Sequence, residues 1–271
     1  MSWRAVARRD LRELSEPRLV RWSLLGLAGV LGLGGYLFPV LAGPPPAPMG
    51  RFPGFMAGSV TIFVPLVAVL MGYKAVVGER DSGELAVTLS LPHTRRDVVL
   101  GKLAARGGLV AAAVLGGLLL AAVLVIYPHG TVEPLTYLGY LAVTLLFGLA
   151  FCCLAVGVPA VAPGERVATV VALGLFALFV VLWDLLGEAL AVGLDAIGLT
   201  SGSLPDWAVF LLGAEPVSAY ERVVGAFWGG AGPNLADAPW YLSGWIALLL
   251  LLAWATVPLG LGYYRFREAD L

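Results

Sequence analysis

The sequence has little of the residue types on which metal and redox sites depend. Histidine occurs only at positions 93 and 129, and cysteine only at positions 152 and 153. Two separated histidines are too few for a histidine-based metal site. Adjacent cysteines do not form an ordinary disulfide with each other, and these two lie inside an apolar run. We therefore expect Cys152 and Cys153 to be small packing residues, and we expect no bound metal.

Sequence motifs of common catalytic sites are missing as well. The chain has no G-x-x-x-x-G-K-[ST] phosphate loop, so any hydrolysis of ATP would have to take place on another polypeptide. It has no H-E-x-x-H sequence, and no pair of carboxylates suited to acid–base chemistry is recognisable. We therefore expect no enzymatic activity in this chain, no directly bound cofactor and no nucleic-acid partner.

Charged residues are scarce, at 13% of the sequence against 59% hydrophobic residues. Apolar runs of about 20 residues recur along the chain, which is the length that crosses the hydrocarbon core of a bilayer. Because a helix satisfies its own backbone in lipid, each run is predicted to be a transmembrane helix. The predicted spans are 22–42, 55–77, 103–127, 135–161, 167–186 and 240–263. The predicted fold is an all-α integral membrane protein with a single transmembrane domain over 1–271.

The basic residues predict how the chain is oriented in the membrane. If the N-terminus is cytoplasmic, 15 of the 17 Lys and Arg residues lie in cytoplasmic segments, and only Arg51 and Arg222 lie outside. Cytoplasmic loops of membrane proteins carry such an excess of basic residues. The chain is therefore predicted to be a multi-pass protein of the cell membrane with both termini in the cytoplasm.

The N-terminal segment 1–18 combines apolar residues at helical spacing with several arginines. This pattern is typical of a helix that lies in the membrane surface and directs basic side chains toward anionic lipid headgroups. The alternative is a basic anchor that orients the chain and has no further role.

The segment 78–102, GERDSGELAVTLSLPHTRRDVVLGK, holds eight charged residues between the second and third spans. Pro92 must end any helix over 84–91, since proline lacks an amide hydrogen and disfavours helical backbone at the residue before it. Thr94 and Asp97 then form a T-x-x-D variant of the capping box, which predicts the start of a new helix. A short helix, a proline break and a helix that runs into the third span are expected. Such a structured, charged loop is a plausible docking surface for another protein.

This segment resembles the signature of type-2 ABC transporter permeases, in which an acidic residue precedes a glycine and Pro-x-x-Arg leads to Gly-Lys. Together with WDLLGE and EPVSAYERV, it is most similar to the permease that helps mature the copper enzyme nitrous-oxide reductase and to its archaeal relatives. The resemblance implies a coupling helix that inserts into a cytoplasmic ATPase subunit. The predicted coupling residues are Glu79, Gly83, Glu84, Pro92, Arg95, Arg96, Gly101 and Lys102.

The outer segment 187–239 is predicted to contain two short helices, over 206–212 and 216–224, that lie at or dip into the outer face. Trp207, Phe210 and Tyr220 give it more apolar surface than a solvated linker displays. We predict that they form an external gate or a docking surface for an extracytoplasmic protein; the alternative is simple anchoring at the membrane surface.

Two carboxylates, Asp184 and Glu188, share one helical face near the outer end of the fifth span. Carboxylates within spans are functional by default, but near the outer interface pairing or snorkelling is the favoured interpretation.

Three functions are compatible with the sequence. The leading one is the membrane subunit of an ABC exporter of unknown substrate, a homodimer with two ATPase subunits that carry ATP and magnesium. The second is a relay of the ATPase stroke to an extracytoplasmic partner protein. The third is an ion-coupled secondary transporter or channel, which would need polar residues midway along the spans, where the sequence offers little beyond hydroxyls such as Thr61 and Thr144.

Overall fold

The computed structural model describes residues 3–41, 49–73, 75, 77–83, 94–129, 133–158, 162–199, 204–231 and 239–268. Within these residues the regular structure is helical. The helices are α1 (Trp3–Ser15), α2 (Arg18–Leu41), α3 (Phe52–Gly72), α4 (Val77–Asp81), α5 (Arg95–His129), α6 (Pro134–Gly157), α7 (Glu165–Phe176), α8 (Trp183–Ala196), α9 (Asp206–Leu212), α10 (Pro216–Phe227), α11 (Gly244–Trp254) and α12 (Val257–Glu268). A π-helical segment, Ala177–Leu182, joins α7 to α8.

Six helical stretches are long and apolar enough to cross a membrane. They are Arg18–Leu41, Phe52–Glu79, Arg95–Ile126, Pro134–Gly157, Glu165–Ala196 and Gly244–Arg265. The prediction of an all-α membrane protein with six spans is therefore confirmed.

The fifth span continues beyond the predicted boundary at residue 186. The helix runs on through α8 to Ala196, because residues 187–196 contain no proline and include the helix formers alanine and leucine. Gly198, with φ at +72°, follows its end, a backbone conformation that favours glycine. The outer segment predicted to begin at residue 187 thus starts as a helical extension of the fifth span.

The centre of the molecule is built from α2, α3, α5 and α6, whose buried apolar residues form one continuous core. Glycines permit a close approach of α2 and α5. A Cβ atom on Gly117 would lie 2.8 Å from the carbonyl oxygen of Ala28 and 2.8 Å from the Cβ atom of Leu31. Helices α1 and α4 and the start of α5 contact one another, and the end of the molecule at which they lie is here called the α1 face.

Candidate functional site

The start of α5 is fixed by the predicted capping box. The backbone N–H of Asp97 donates to Thr94 Oγ1 at 3.1 Å, and the Thr94 hydroxyl donates to Asp97 Oδ2 at 2.7 Å. The other carboxylate oxygen of Asp97 accepts the backbone N–H of Trp3 at 3.0 Å. The capping-box prediction is confirmed, and the same side chain also ties the first turn of α1 to α5.

Helix α1 packs directly on α5. Val6 and Ala7 are buried, and a Cβ atom on Gly101 of α5 would lie 2.7 Å from Val6 Cβ and 2.9 Å from the Trp3 carbonyl oxygen. This part of the apolar stripe, which the sequence assigned to a helix in the membrane surface, thus packs against protein rather than lipid. Gly101, a predicted coupling residue, provides the space in which α1 sits.

Replacing Gly101 by alanine is expected to destabilise the protein by about 1–3 kcal/mol, the usual cost of overpacking. A Cβ atom on Gly108 of the same helix would meet no other atom within 4 Å, so Gly108→Ala should instead gain about 0.5–1 kcal/mol from its better helix propensity. Thermal unfolding of the purified variants measures both. Equal effects at the two positions would show that α1 does not rest on Gly101.

A buried ionic cluster lies beside this contact and consists of Asp10, Glu79, Lys102 and Arg106. Lys102 is only 1% exposed, and its Nζ atom lies 2.7 Å from Glu79 Oε1 and 3.4 Å from Asp10 Oδ1. Arg106 donates to both carboxylate oxygens of Asp10, from Nε at 3.1 Å and from Nη2 at 3.2 Å. The two cations thus balance the two anions.

The ionic cluster joins four helices. Asp10 belongs to α1, Glu79 to α4, and Lys102 and Arg106 to α5, while Arg106 Nη1 also donates to the carbonyl oxygen of Met71 in α3. Each carboxylate group therefore has a cation from another helix, which is the arrangement that a buried charge requires. The ionic cluster fixes the position of α4 at the α1 face.

Three carboxylates come within 4.8 Å of one another here, those of Asp10, Glu79 and Glu13. Protein cations already bind all three, since Arg9 Nε lies 2.6 Å from Glu13 Oε1 and the ionic cluster holds the other two. Ion pairing therefore accounts for the positions of these three carboxylates.

The remaining predicted coupling residues have different locations. Gly83 follows α4 with φ at +78°, a conformation that favours glycine. At the start of α5, Arg96 is exposed and Arg95 is half-buried. Glu84 and Pro92, with the short helix predicted over 84–91, lie outside the described residues. Asp10 and Arg106 were missed, although a lone aspartate one turn after Val6 on an otherwise apolar stripe signals a buried ionic partner.

The predicted helices of the outer segment are present as α9 and α10, with the bounds of α9 as predicted. Their connection, residues 212–215, is here called the hairpin tip. Its carbonyl groups bind side chains from elsewhere: that of Leu212 accepts Trp183 Nε1 at 2.8 Å, and that of Ala214 accepts Trp254 Nε1 at 2.7 Å. Arg222 Nη1 donates to the Gly213 carbonyl at 2.8 Å. These bonds satisfy polar groups that a buried turn would otherwise leave unpaired.

The hairpin tip lies beside the middle of the last span. Trp254, which binds it, is ten residues into α11, or about 15 Å from the start of that helix at 1.5 Å per residue. Glu215 is buried at the tip and caps α10, accepting the backbone N–H groups of Val217, at 2.7 Å, and of Ser218.

The three predicted gate or docking residues do not form one surface. Tyr220 is fully buried, its ring stacks on that of Phe147 with centroids 4.5 Å apart, and its hydroxyl lies 3.1 Å from Thr144 Oγ1. Phe210 is half-buried, with its ring 5.9 Å from that of Tyr241. Trp207 is 57% exposed. Tyr220 therefore anchors α10 against the spans, whereas Trp207 presents a free surface.

Asp184 and Glu188 line a common cavity of about 550 Å³ between α8 and the α9–α10 pair, as their spacing on one helical face predicts. Glu221 and Arg222 of α10 line the same cavity. Burial is the main cause that raises the pKa of the Glu221 carboxyl, and the negative charge of Asp184 raises it further. The cavity therefore brings acidic groups from two elements together.

Comparison with known proteins identifies the family. The family model described as ABC-2 family transporter protein matches residues 13–271. A probable ABC transporter permease protein NosY from Pseudomonas aeruginosa is 33% identical over 221 residues, which cover 78% of this chain and 78% of that protein. The protein of the same name from Stutzerimonas stutzeri is 30% identical over 224 residues, 79% of this chain and 78% of its own length. The family predicted from the charged segment is confirmed, and the chain belongs to the ABC-2 family as a multi-pass membrane permease of an ABC transporter.

Proposed function

We propose that this chain couples ATP hydrolysis by a separate cytoplasmic ATPase subunit to movement of its spans, and that a homodimer with two such subunits exports a substrate of unknown identity. Membership of the family implies a cytoplasmic ATPase partner in general. The observation that carries the coupling proposal is the ionic cluster, which lies at the base of the charged segment between the second and third spans.

The charged segment is held firmly at both ends. Before residues 84–93, Glu79 of α4 is bound to Lys102. After them, Thr94 and Asp97 cap α5. A partner that displaces the segment would therefore also displace α5, because both ends of the segment are bound to that helix. Since α5 is one continuous helix of 35 residues, about 52 Å long, it would carry the displacement to the opposite face.

Reversal of the charges of Arg95 and Arg96 tests whether this segment docks the ATPase. The double variant Arg95→Glu, Arg96→Glu should reduce the amount of ATPase subunit that co-purifies with the chain, or should leave ATP hydrolysis running without transport. The reason is that negative charges would repel an acidic partner surface that the two arginines attract. The control is Arg51→Glu, because Arg51 is exposed and is predicted to lie on the extracytoplasmic side. It should change neither the association of the ATPase subunit nor the coupling. Normal association and coupling in the double variant would refute the docking proposal.

We further propose that the fifth span faces the second copy of the chain. Only 11% of its most apolar stretch of 18 residues is buried within the chain, against 61% for α6. Its exposed apolar residues include Val181, Leu182 and Leu185, and a second copy would cover them.

Single cysteines in a background that lacks Cys152 and Cys153 test both this contact and the orientation. With the α1 face in the cytoplasm, a cysteine at Gly50 should react with an impermeant thiol reagent from outside, and one at Gly83 should not. A cysteine at Val181, exposed on the fifth span, should form a disulfide between two copies. Labelling at Gly83 from outside would reverse the orientation, and failure of Val181 to cross-link would place the dimer contact elsewhere.

The second candidate function is a relay of the ATPase stroke to an extracytoplasmic protein. It is favoured by the exposure of Trp207 and Leu211 on α9, which gives this helix a free apolar surface. The composition of the complex purified from its native membrane separates the two functions. An ATPase subunit alone supports export, whereas a further protein that is lost from the complex on Trp207→Ala supports the relay.

A further inference from the structure

Helix α4 is attached to the fifth span as well as to the ionic cluster. Val77 of α4 is buried against Ala162 and Ala168 at the beginning of that span. The carboxylate oxygen Oδ2 of Asp81 accepts the backbone N–H of Glu165, the first residue of α7, at 2.8 Å. The residue before it, Gly164, has no side chain with which to cap the helix, so a residue 84 positions earlier in the chain performs this role. A carboxylate at a helix N-terminus is also favoured by the helix dipole.

The two bonds of α4 run to different spans. Glu79 binds Lys102 in the third span, and Asp81 binds Glu165 in the fifth. Residues two positions apart on a helix point in different directions, so this five-residue helix lies between the two spans and holds both. Displacement of α4 would pull on both at once.

The fifth span is suited to respond to such a displacement. It has the smallest buried share of the six spans described, so few packing contacts within the chain resist its movement. The π-helical segment Ala177–Leu182 lies in its middle, and such segments are places where helices bend. Directly after that segment, Trp183 binds the carbonyl of Leu212 at the hairpin tip.

We propose that Asp81 is a positioning residue that passes movement of the charged segment to the fifth span, and through Trp183 to the hairpin tip. This inference rests on the proposed function, in which an ATPase moves the charged segment. It adds a second route beside α5 and assigns a role to a carboxylate that the family resemblance did not single out.

The test measures the distance between spin labels at Val170 of α7 and Leu149 of α6, both exposed, in the assembled complex with and without ATP, because α6 lies on neither of the two proposed routes. The parent complex should show a distance that changes on ATP addition. Asp81→Ala should abolish this change while the ATPase subunit still co-purifies and still hydrolyses ATP. Asp81→Asn should retain part of the change, because its amide oxygen still accepts the N–H of Glu165. Ser82→Ala is the control, since that hydroxyl donates within its own turn, to the Glu79 carbonyl.

An ATP-induced change of normal size in Asp81→Ala would overturn the inference, and so would a parent complex whose label distance does not respond to ATP. Amide hydrogen exchange on the chain alone provides a second measurement. Asp81→Ala should speed exchange in the first turn of α7, and unchanged exchange would show that the link is absent. Failure of the proposed function has a different signature, a parent chain that retains no ATPase subunit, and the inference then fails with it.

Discussion

Replacement of Lys102 by methionine is expected to lower the free energy of unfolding by about 3–5 kcal/mol, the usual cost of removing one partner from a buried ion pair. Lys102 is almost fully buried and contacts both Glu79 and Asp10. Its loss leaves Arg106 to balance two carboxylates, the buried one of Asp10 and the half-buried one of Glu79. Thermal unfolding of the purified protein in detergent measures the effect. The matched control is Arg9→Met, which removes an exposed pair with Glu13 and should cost at most about 0.5 kcal/mol.

A compensating variant separates charge imbalance from loss of packing. Lys102→Met combined with Glu79→Gln restores equal numbers of buried cations and anions, so it should recover part of the stability lost by Lys102→Met alone. If Lys102→Met were as mild as Arg9→Met, or if the second substitution made the loss larger, the ionic cluster would not be the element that fixes α4.

Local signals were sufficient to predict much of this structure. The six apolar runs predicted six spans, and the T-x-x-D pattern predicted the start of α5, because both depend on residues close together in the chain. The short helices α9 and α10 were likewise predicted from Pro205 before α9, Gly213 after its end and Pro216 at the start of α10. In each instance the physical cause, an apolar length, a capping side chain or a helix-breaking residue, lies within a few residues of its effect.

The ionic cluster could not be predicted in the same way. Asp10 and Lys102 are 92 positions apart, and no local pattern in the sequence predicts that α1 packs against α5. The resemblance to the family marked Lys102 as part of a coupling motif, yet not as a buried residue. Its partner Asp10 can be recognised only once α1 is known to pack against Gly101 of α5.

The outer segment shows the same limit for aromatic residues. Trp207 and Tyr220 were grouped by their apolar character, and their opposite environments depend on how α10 docks against α6. That docking requires the hairpin tip to find side-chain partners for its carbonyl groups, which come from Trp183 and Trp254 on two other helices. No pattern within the segment itself specifies these partners.

Replacement of Tyr220 by alanine is therefore expected to be among the most damaging single changes outside the ionic cluster, at about 3–5 kcal/mol, the range for truncating a buried aromatic side chain. It removes a ring that stacks on Phe147 and a hydroxyl that bonds with Thr144. Trp207→Ala truncates a larger side chain that is mostly exposed, so it should cost well under about 1 kcal/mol. Thermal unfolding of the two variants side by side measures the difference.

Tyr220→Phe separates the contribution of the ring from that of the hydroxyl. Thr144 Oγ1 still donates to the carbonyl of Tyr140 at 2.9 Å when the Tyr220 hydroxyl is removed. The loss should therefore be only about 0.5–1.5 kcal/mol, the net value of one hydrogen bond. A cost for Trp207→Ala equal to that for Tyr220→Ala would mean that α9 and α10 exchange their buried and exposed sides, and Trp207, not Tyr220, would then be the residue that anchors the hairpin against the spans.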